Sequence, residues 1–236
     1  MTKKISPDFA KFEAISGVTF KNKELLRRAF THRSFLNENR GTESSHNERL
    51  EFLGDAVLEL MVTEHLFEKY PDSNEGDLTA YRASLVNAIT LSEAAQKINV
   101  NDFLLLSKGE AKDTGKARQY ILANTMEAII GAIYLDQGYD GAKYFVSKNI
   151  FHLIDKIIEE KSWIDAKSKF QERSQEKEST TPIYKTIKED GPDHDKRFTV
   201  GVYLENELIG TGEGQSKQEA EQVAARKALE AKKWLW

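Results

Sequence analysis

The chain has 236 residues, 39% hydrophobic and 31% charged, with a net charge of −4 and no cysteine. That length holds one large domain or two smaller ones, and the apolar content fills a core but is too low for a membrane protein. No apolar run reaches the roughly 18–20 residues of a membrane span, residues 1–7 do not read as a secretory signal, and the lack of cysteine removes disulfides, zinc–thiolate sites and thiol catalysis, fitting a reducing cytoplasm.

Residues 1–20 read as a lead-in with a short helix around Pro7 to Ile15. Lys23 to Leu36 has helical apolar spacing (Leu25, Leu26, Ala29, Phe30, Phe35) and is predicted as one helix. It contains Thr31-His32-Arg33-Ser34, where His32 reads as a helix-end histidine held by local hydrogen bonds. A polar loop from Glu38 to Ser45 precedes a long helix running from about Asn47 to Tyr70. Pro71 to Asp77 is a turn cluster, followed by helices near Leu78 to Val86 and Asn87 to Ile98. A packed stretch, Val100 to Leu106, and a polar loop, Ser107 to Lys116, lead to a very apolar helix, Arg118 to Leu135. Tyr144 to Glu160 is the last amphipathic helix. No strand is convincing up to this point.

The pattern then changes. Asp165 to Lys177 is a charged helix, and three period-two stretches follow: Ile183 to Glu189, Arg197 to Leu204 and Leu208 to Gly214. Ser216 to Ala231 closes with an alanine-rich helix. Helix, three antiparallel strands and helix make a compact α+β domain, with the boundary near Glu160 to Ile164.

Two helices carry acids where apolar residues are expected. At about 100° per residue, Glu48, Glu51 and Asp55 fall near one stripe beside Leu50, Leu53 and Val57. Acids bordering a packed face are costly to desolvate unless a cation compensates. The second helix offers Asn124 and Glu127 in an otherwise apolar run. Oxygen donors of this kind suit magnesium, and no cysteine or histidine cluster suggests zinc. On spacing alone, three acids on a helix are usually a solvated face.

Asn47-Glu48-Arg49-Leu50-Glu51-Phe52-Leu53-Gly54-Asp55-Ala56-Val57-Leu58 resembles the signature segment of the ribonuclease III endonucleases. The resemblance implies an all-α endonuclease domain over 1–160, magnesium (or manganese) as cofactor with no organic cofactor, and Glu51, Asp55 and Glu127 as catalytic metal-site acids. Asn124 stands where the family usually has Asp; an Asn oxygen still ligates magnesium but brings no charge, so Asn124 is either a working ligand or an inactivating change. Glu48 and Glu75 read as supporting acids or as salt-bridging ones, and Lys108 and Glu110 as backbone-contacting or solvated. The family match for Phe52 implies a homodimer interface, against the alternative of an ordinary core phenylalanine.

Residues 164–236 resemble a double-stranded RNA-binding domain, carried by Gly191 to Phe198, Gly210 to Gly214 and Ser216 to Ala225. The resemblance implies RNA contacts from Gln171, Glu172, His194 and Lys217, while Ala220, Ala224, Ala225 and Ala228 read as a face packed on the sheet. From residue 163 onward, 13 Lys and Arg face 14 Asp and Glu, so any RNA-binding charge must be gathered on one face. The whole reading is a cytoplasmic, magnesium-dependent, homodimeric endoribonuclease that cuts double-stranded RNA with a stagger, in rRNA and mRNA processing. The alternative is a double-stranded RNA-binding protein impaired in cleavage by Asn124.

Overall fold

The computed structural model describes residues 7–39, 45–160, 163, 165–192 and 196–234. The chain divides into two compact units, residues 1–163 and 164–236.

The first unit is helical: α1 (Phe9–Ser16), α2 (Lys23–Ala29), α3 (Arg33–Glu38), α4 (Glu48–Lys69), α5 (Glu75–Leu85), α6 (Ala88–Lys97), α7 (Lys116–Val146) and α8 (Leu153–Glu159). Its core is the packing of α4 on α7. Leu50, Leu58, Met61, Val62 and Leu66 on one helix and Met126, Ile129, Ile130 and Ile133 on the other are fully buried or nearly so. Asn22, Asn74 and Asn87 cap α2, α5 and α6 by accepting a backbone N–H in the first turn. Asp136 of α7 accepts the backbone N–H of Lys21 and of Asn22, both at 2.8 Å, and so ties the entry of α2 to the far end of the core.

Two helix expectations need correction. Lys23 to Leu36 is two helices, α2 and α3. Leu105 donates its N–H to Phe30 O at 2.9 Å, His32 donates its own to Leu105 O at 3.1 Å, and Asn47 donates to Thr31 O at 2.9 Å. These long-range bonds replace helical ones and make Thr31–Leu105 a lone parallel bridge. The apolar spacing runs through the break, but only α2 buries side chains fully, Leu26 and Ala29, while α3 buries none. Likewise α7 does not stop at Leu135. It continues to Val146 across a break at Gly138, whose φ of 77° and ψ of −166° are outside helical values. A π-type turn over Ser147–Phe151 then leads to α8. Among the described residues no helix is long and apolar enough to cross a membrane.

The second unit is α9 (Ala166–Glu178), β1 (Ile183–Asp190), β2 (Arg197–Leu204), β3 (Glu207–Gly214) and α10 (Lys217–Lys232). The sheet is antiparallel in the order β1-β2-β3. Its core joins Ala166 and Phe170 of α9 to Val202 and Leu204 of β2 and to Ala224, Ala225, Ala228 and Leu229 of α10. The alanine face of α10 lies on glycines of β3. A Cβ built on Gly212 would come within 2.2 Å of Ala220 O and 2.3 Å of Ala224 N, so only glycine permits this approach.

Candidate active site

The site is set where α4 crosses α7. A Cβ on Gly54 would stand 1.8 Å from Glu127 O, and one on Gly131 would stand 2.3 Å from Leu50 O. The two backbones therefore touch, and nothing larger than glycine fits either position. Gly54 lies between Glu51 and Asp55, and Gly131 lies one turn after Glu127. The crossing thus brings the acids of both helices together. From Ile121 to Ile133 every residue is buried except Asn124 and Glu127, which are half-buried.

Electrostatics show how close the groups stand. Burial is the main cause pushing the Glu127 carboxyl up to about 8, with Asp55 and then Glu51 adding to it. Glu51 is also raised, first by burial, then by Glu48, with Asp55 a smaller contribution; the Asn124 amide facing it works the other way. A carboxyl kept neutral by burial, and secondarily by neighbouring carboxylates, is a group that a cation would ionise. The donor set of three carboxylates and one amide oxygen is all hard oxygen, which fits magnesium. Among the described residues no three His, Cys, Asp or Glu side chains are drawn up to hold an ion. The acids form a charge cluster and not a finished coordination shell.

Glu48, Glu51 and Asn124 line a recess of about 460 Å³ with His32, Arg33, Asn47, Glu110, Tyr120 and Ile121. Glu48 pairs with Arg33 at 3.4 Å and lies 3.8 Å from His46 Nδ1, and its charge adds to the raising of Glu51. Glu75 opens α5, exposed, and does not line the recess. Arg33 and Tyr120 were given no role in the sequence reading; their signals are that Arg33 directly follows His32 and that Tyr120 lies one helical turn before Asn124. Glu110 is brought to the recess by Arg118, whose guanidinium donates to Glu110 O, to Asp113 O at 3.1 Å and to Asn101 Oδ1 at 3.2 Å.

In the second unit Gln171 and Glu172 are exposed on α9, with Glu172 3.6 Å from Lys169. His194 lies outside the described residues. Lys217, at the start of α10, is engaged by an acid: its Nζ is 2.8 Å from Glu189 Oε1 and lies 5.5 Å from the Phe198 ring centroid. Lys196 meets the other Glu189 oxygen at 3.6 Å. Ser216 caps α10 by accepting from Glu219 N, and the Glu219 carboxylate accepts from Gln215 N.

Phe52 is 82% exposed, which corrects the alternative that it is a core phenylalanine. It shares a face of α4 with Leu60 and Phe67, also exposed.

An acidic crossing of two helices followed by an α-β-β-β-α unit describes a nuclease carrying an RNA-binding module. Comparison with known proteins agrees. A Ribonuclease-III-like family model matches residues 22–154, and a double-stranded RNA binding motif matches residues 166–232. A ribonuclease 3 from Bdellovibrio bacteriovorus is 45% identical over 217 residues, 92% of each chain. One from Staphylococcus haemolyticus is 43% identical over 230 residues, 97% of this chain and 93% of that one. The solved nuclease domain of ribonuclease III from Campylobacter jejuni is 44% identical, with a TM-score of 0.55, covering 63% of this chain and 97% of that one. The chain belongs to the ribonuclease III family and is an endoribonuclease specific for double-stranded RNA.

Proposed function

We propose that this endoribonuclease is magnesium-dependent, with manganese able to substitute, and that Glu51, Asp55, Asn124 and Glu127 hold the ions. The observation that carries the reading is the close α4–α7 crossing at Gly54 and Gly131, which sets Glu51 and Asp55 against Asn124 and Glu127 and leaves the Glu127 carboxyl raised to about 8 by burial and by Asp55 and Glu51. Divalent ions bound there would make a water nucleophilic and stabilise the departing 3′ oxygen. The protein's own residues do the rest. Gly54 and Gly131 fix the spacing of the two acidic helices. Without a cation Glu127 keeps its proton near neutral pH, and a divalent ion held there would favour its ionised form. Asn124 contributes an oxygen without a charge, so the cluster carries −3 when its acids ionise.

We further propose that the enzyme works as a homodimer. The exposed stripe of Phe52, Leu60 and Phe67 on α4 supports this, because a contiguous apolar face on a soluble helix marks an interface. The Campylobacter jejuni nuclease domain is described in terms of a region involved in dimer formation. Two sites related by a twofold axis match the antiparallel strands of a duplex and would cut them with a stagger. Gln171, Glu172, His194 and Lys217 are proposed RNA contacts of the second unit, reading A-form shape across minor grooves. Glu48 acts as a supporting acid, Glu75 is a surface acid, and the cytoplasmic substrates are rRNA precursors and structured messages.

The test is incubation of the chain with a long RNA duplex over a magnesium titration, with a chelator control. Short products with staggered ends, abolished by the chelator, support the reading. Retention of uncut duplex would instead make the chain an RNA-binding protein whose metal site is broken at Asn124.

A further inference from the structure

We propose that His32 is a substrate-contacting residue, whose imidazole, with its proton held on Nε2, donates a hydrogen bond to a phosphate oxygen of the duplex seated in the recess. This rests on the recess being the place where RNA is cut, and it assigns that site a donor beyond its acids.

The tautomer follows from the bonds around the ring. Ser34 N–H donates to His32 Nδ1 at 3.3 Å, and Ser34 Oγ stands 2.8 Å from the same nitrogen. Ser107 N–H donates to Ser34 Oγ at 3.1 Å, which leaves the hydroxyl hydrogen for Nδ1. With a backbone N–H aimed at it, Nδ1 has no room for a proton of its own, so the proton of the neutral ring is on Nε2. No hydrogen bond from Nε2 is found among the described residues. The ring is also fixed in place. Its own backbone N–H is bonded to Leu105 O, and its φ of −74° and ψ of 148° are those of a helix cap.

The surroundings suit a neutral donor. His32 lines the recess with Glu48, Glu51 and Asn124. Burial lowers its pKa, Arg33 and Arg118 add to that, and Glu110 and Glu48 oppose it. A charged imidazole would be drawn to the acids, whereas a neutral N–H can serve an anionic oxygen without neutralising the carboxylates. Arg33 at the rim adds positive charge where a phosphate would enter. The helix-capping role explains only the Nδ1 edge.

The experiment separates the two edges of the ring. His32→Asn keeps a good N-cap acceptor for Ser34 N–H but is too short to carry a donor into the recess; His32→Gln extends a donor there. Expected are an unchanged melting midpoint for His32→Asn and a fall in kcat/KM of roughly 10- to 100-fold, with partial recovery in His32→Gln. A phosphorothioate at the scissile linkage should cost wild type more than His32→Asn, since the lost contact is shared. Wild-type kcat/KM in His32→Asn overturns the proposal, as do equal phosphorothioate penalties in both proteins or a loss that tracks melting. A wild type that binds duplex without cutting overturns the cleavage assignment and this contact with it.

Discussion

Gly54 and Gly131 face each other across the α4–α7 crossing, where a Cβ on Gly54 would also lie 2.9 Å from Gly131 N. Nothing soft lies between them, so an added methyl must separate two helix backbones. Gly54→Ala should cost about 3 kcal/mol through overpacking, or roughly 6–12 °C in the melting midpoint of a unit this size, and should abolish cleavage. Gly138→Ala is the control. Its cost is backbone strain of about 1–3 kcal/mol, from a φ of 77° with a ψ of −166° that favours glycine, with open space around the new Cβ and cleavage retained. Calorimetry and a duplex cleavage assay distinguish the two.

Asn124 is the uncharged member of the proposed ligand set. Asn124→Asp should lower the magnesium concentration needed for half-maximal cleavage by about tenfold, the equivalent of roughly 1.4 kcal/mol in ion affinity. An unchanged or higher requirement would count against Asn124 as a ligand.

Glu127 links stability to pH. Its folded pKa of about 8 lies above the ordinary carboxyl value, so between those values the folded state binds more protons than the unfolded one, and ion-free stability falls as pH rises through that window. Melting midpoints taken without divalent ions should decline from pH 5 to pH 8, and Glu127→Gln should flatten the decline. Magnesium should restore more stability at pH 8 than at pH 6, with protons released on binding that calorimetry in two buffers can count.

Phe52 makes no core contact that its removal would cost. Phe52→Ala should leave the midpoint of the isolated fold unchanged while weakening self-association by roughly 30-fold, the loss of a hot-spot aromatic. Sedimentation velocity over a concentration series measures it.

Glu189 pairs with Lys217, a proposed phosphate contact, at 2.8 Å. Its carboxyl is drawn below its ordinary range, first by the hydrogen bond from Lys217. Glu189→Gln should tighten duplex binding and steepen the salt dependence by about one phosphate contact, a slope change near −0.9 in log K against log salt. Filter binding at several salt concentrations reports both.

The polar positions were legible in the sequence because they interrupt apolar faces: the amide of Asn124 and the carboxyl of Glu127 are the half-buried positions in a run of buried ones. The three strands and the α10 alanine face were legible from alternation and from small residues at helical spacing. The break at Phe30–His32 was not, because Leu25, Leu26, Ala29, Phe30 and Phe35 keep helical spacing across it while backbone bonds to Leu105 decide the conformation. The continuation of α7 past Leu135 was hidden for the opposite reason, since Gly138 reads as a terminator and here only interrupts. The place of His32 at the recess was not legible, because the bonds from its own N–H to Leu105 O and from Ser107 N–H to Ser34 Oγ join distant segments and leave no local pattern.

The bonds from Lys21 and Asn22 to Asp136 close a stretch of 114 residues between Asn22 and its partner. During synthesis at roughly 5–20 residues per second, Asp136 is added about 6–23 s after Asn22. Over that interval the apolar faces of α2 and α4 have been made, but the helix that covers them has not. The nascent nuclease unit therefore cannot close segment by segment from its beginning, and its first helices need shelter until α7 is complete.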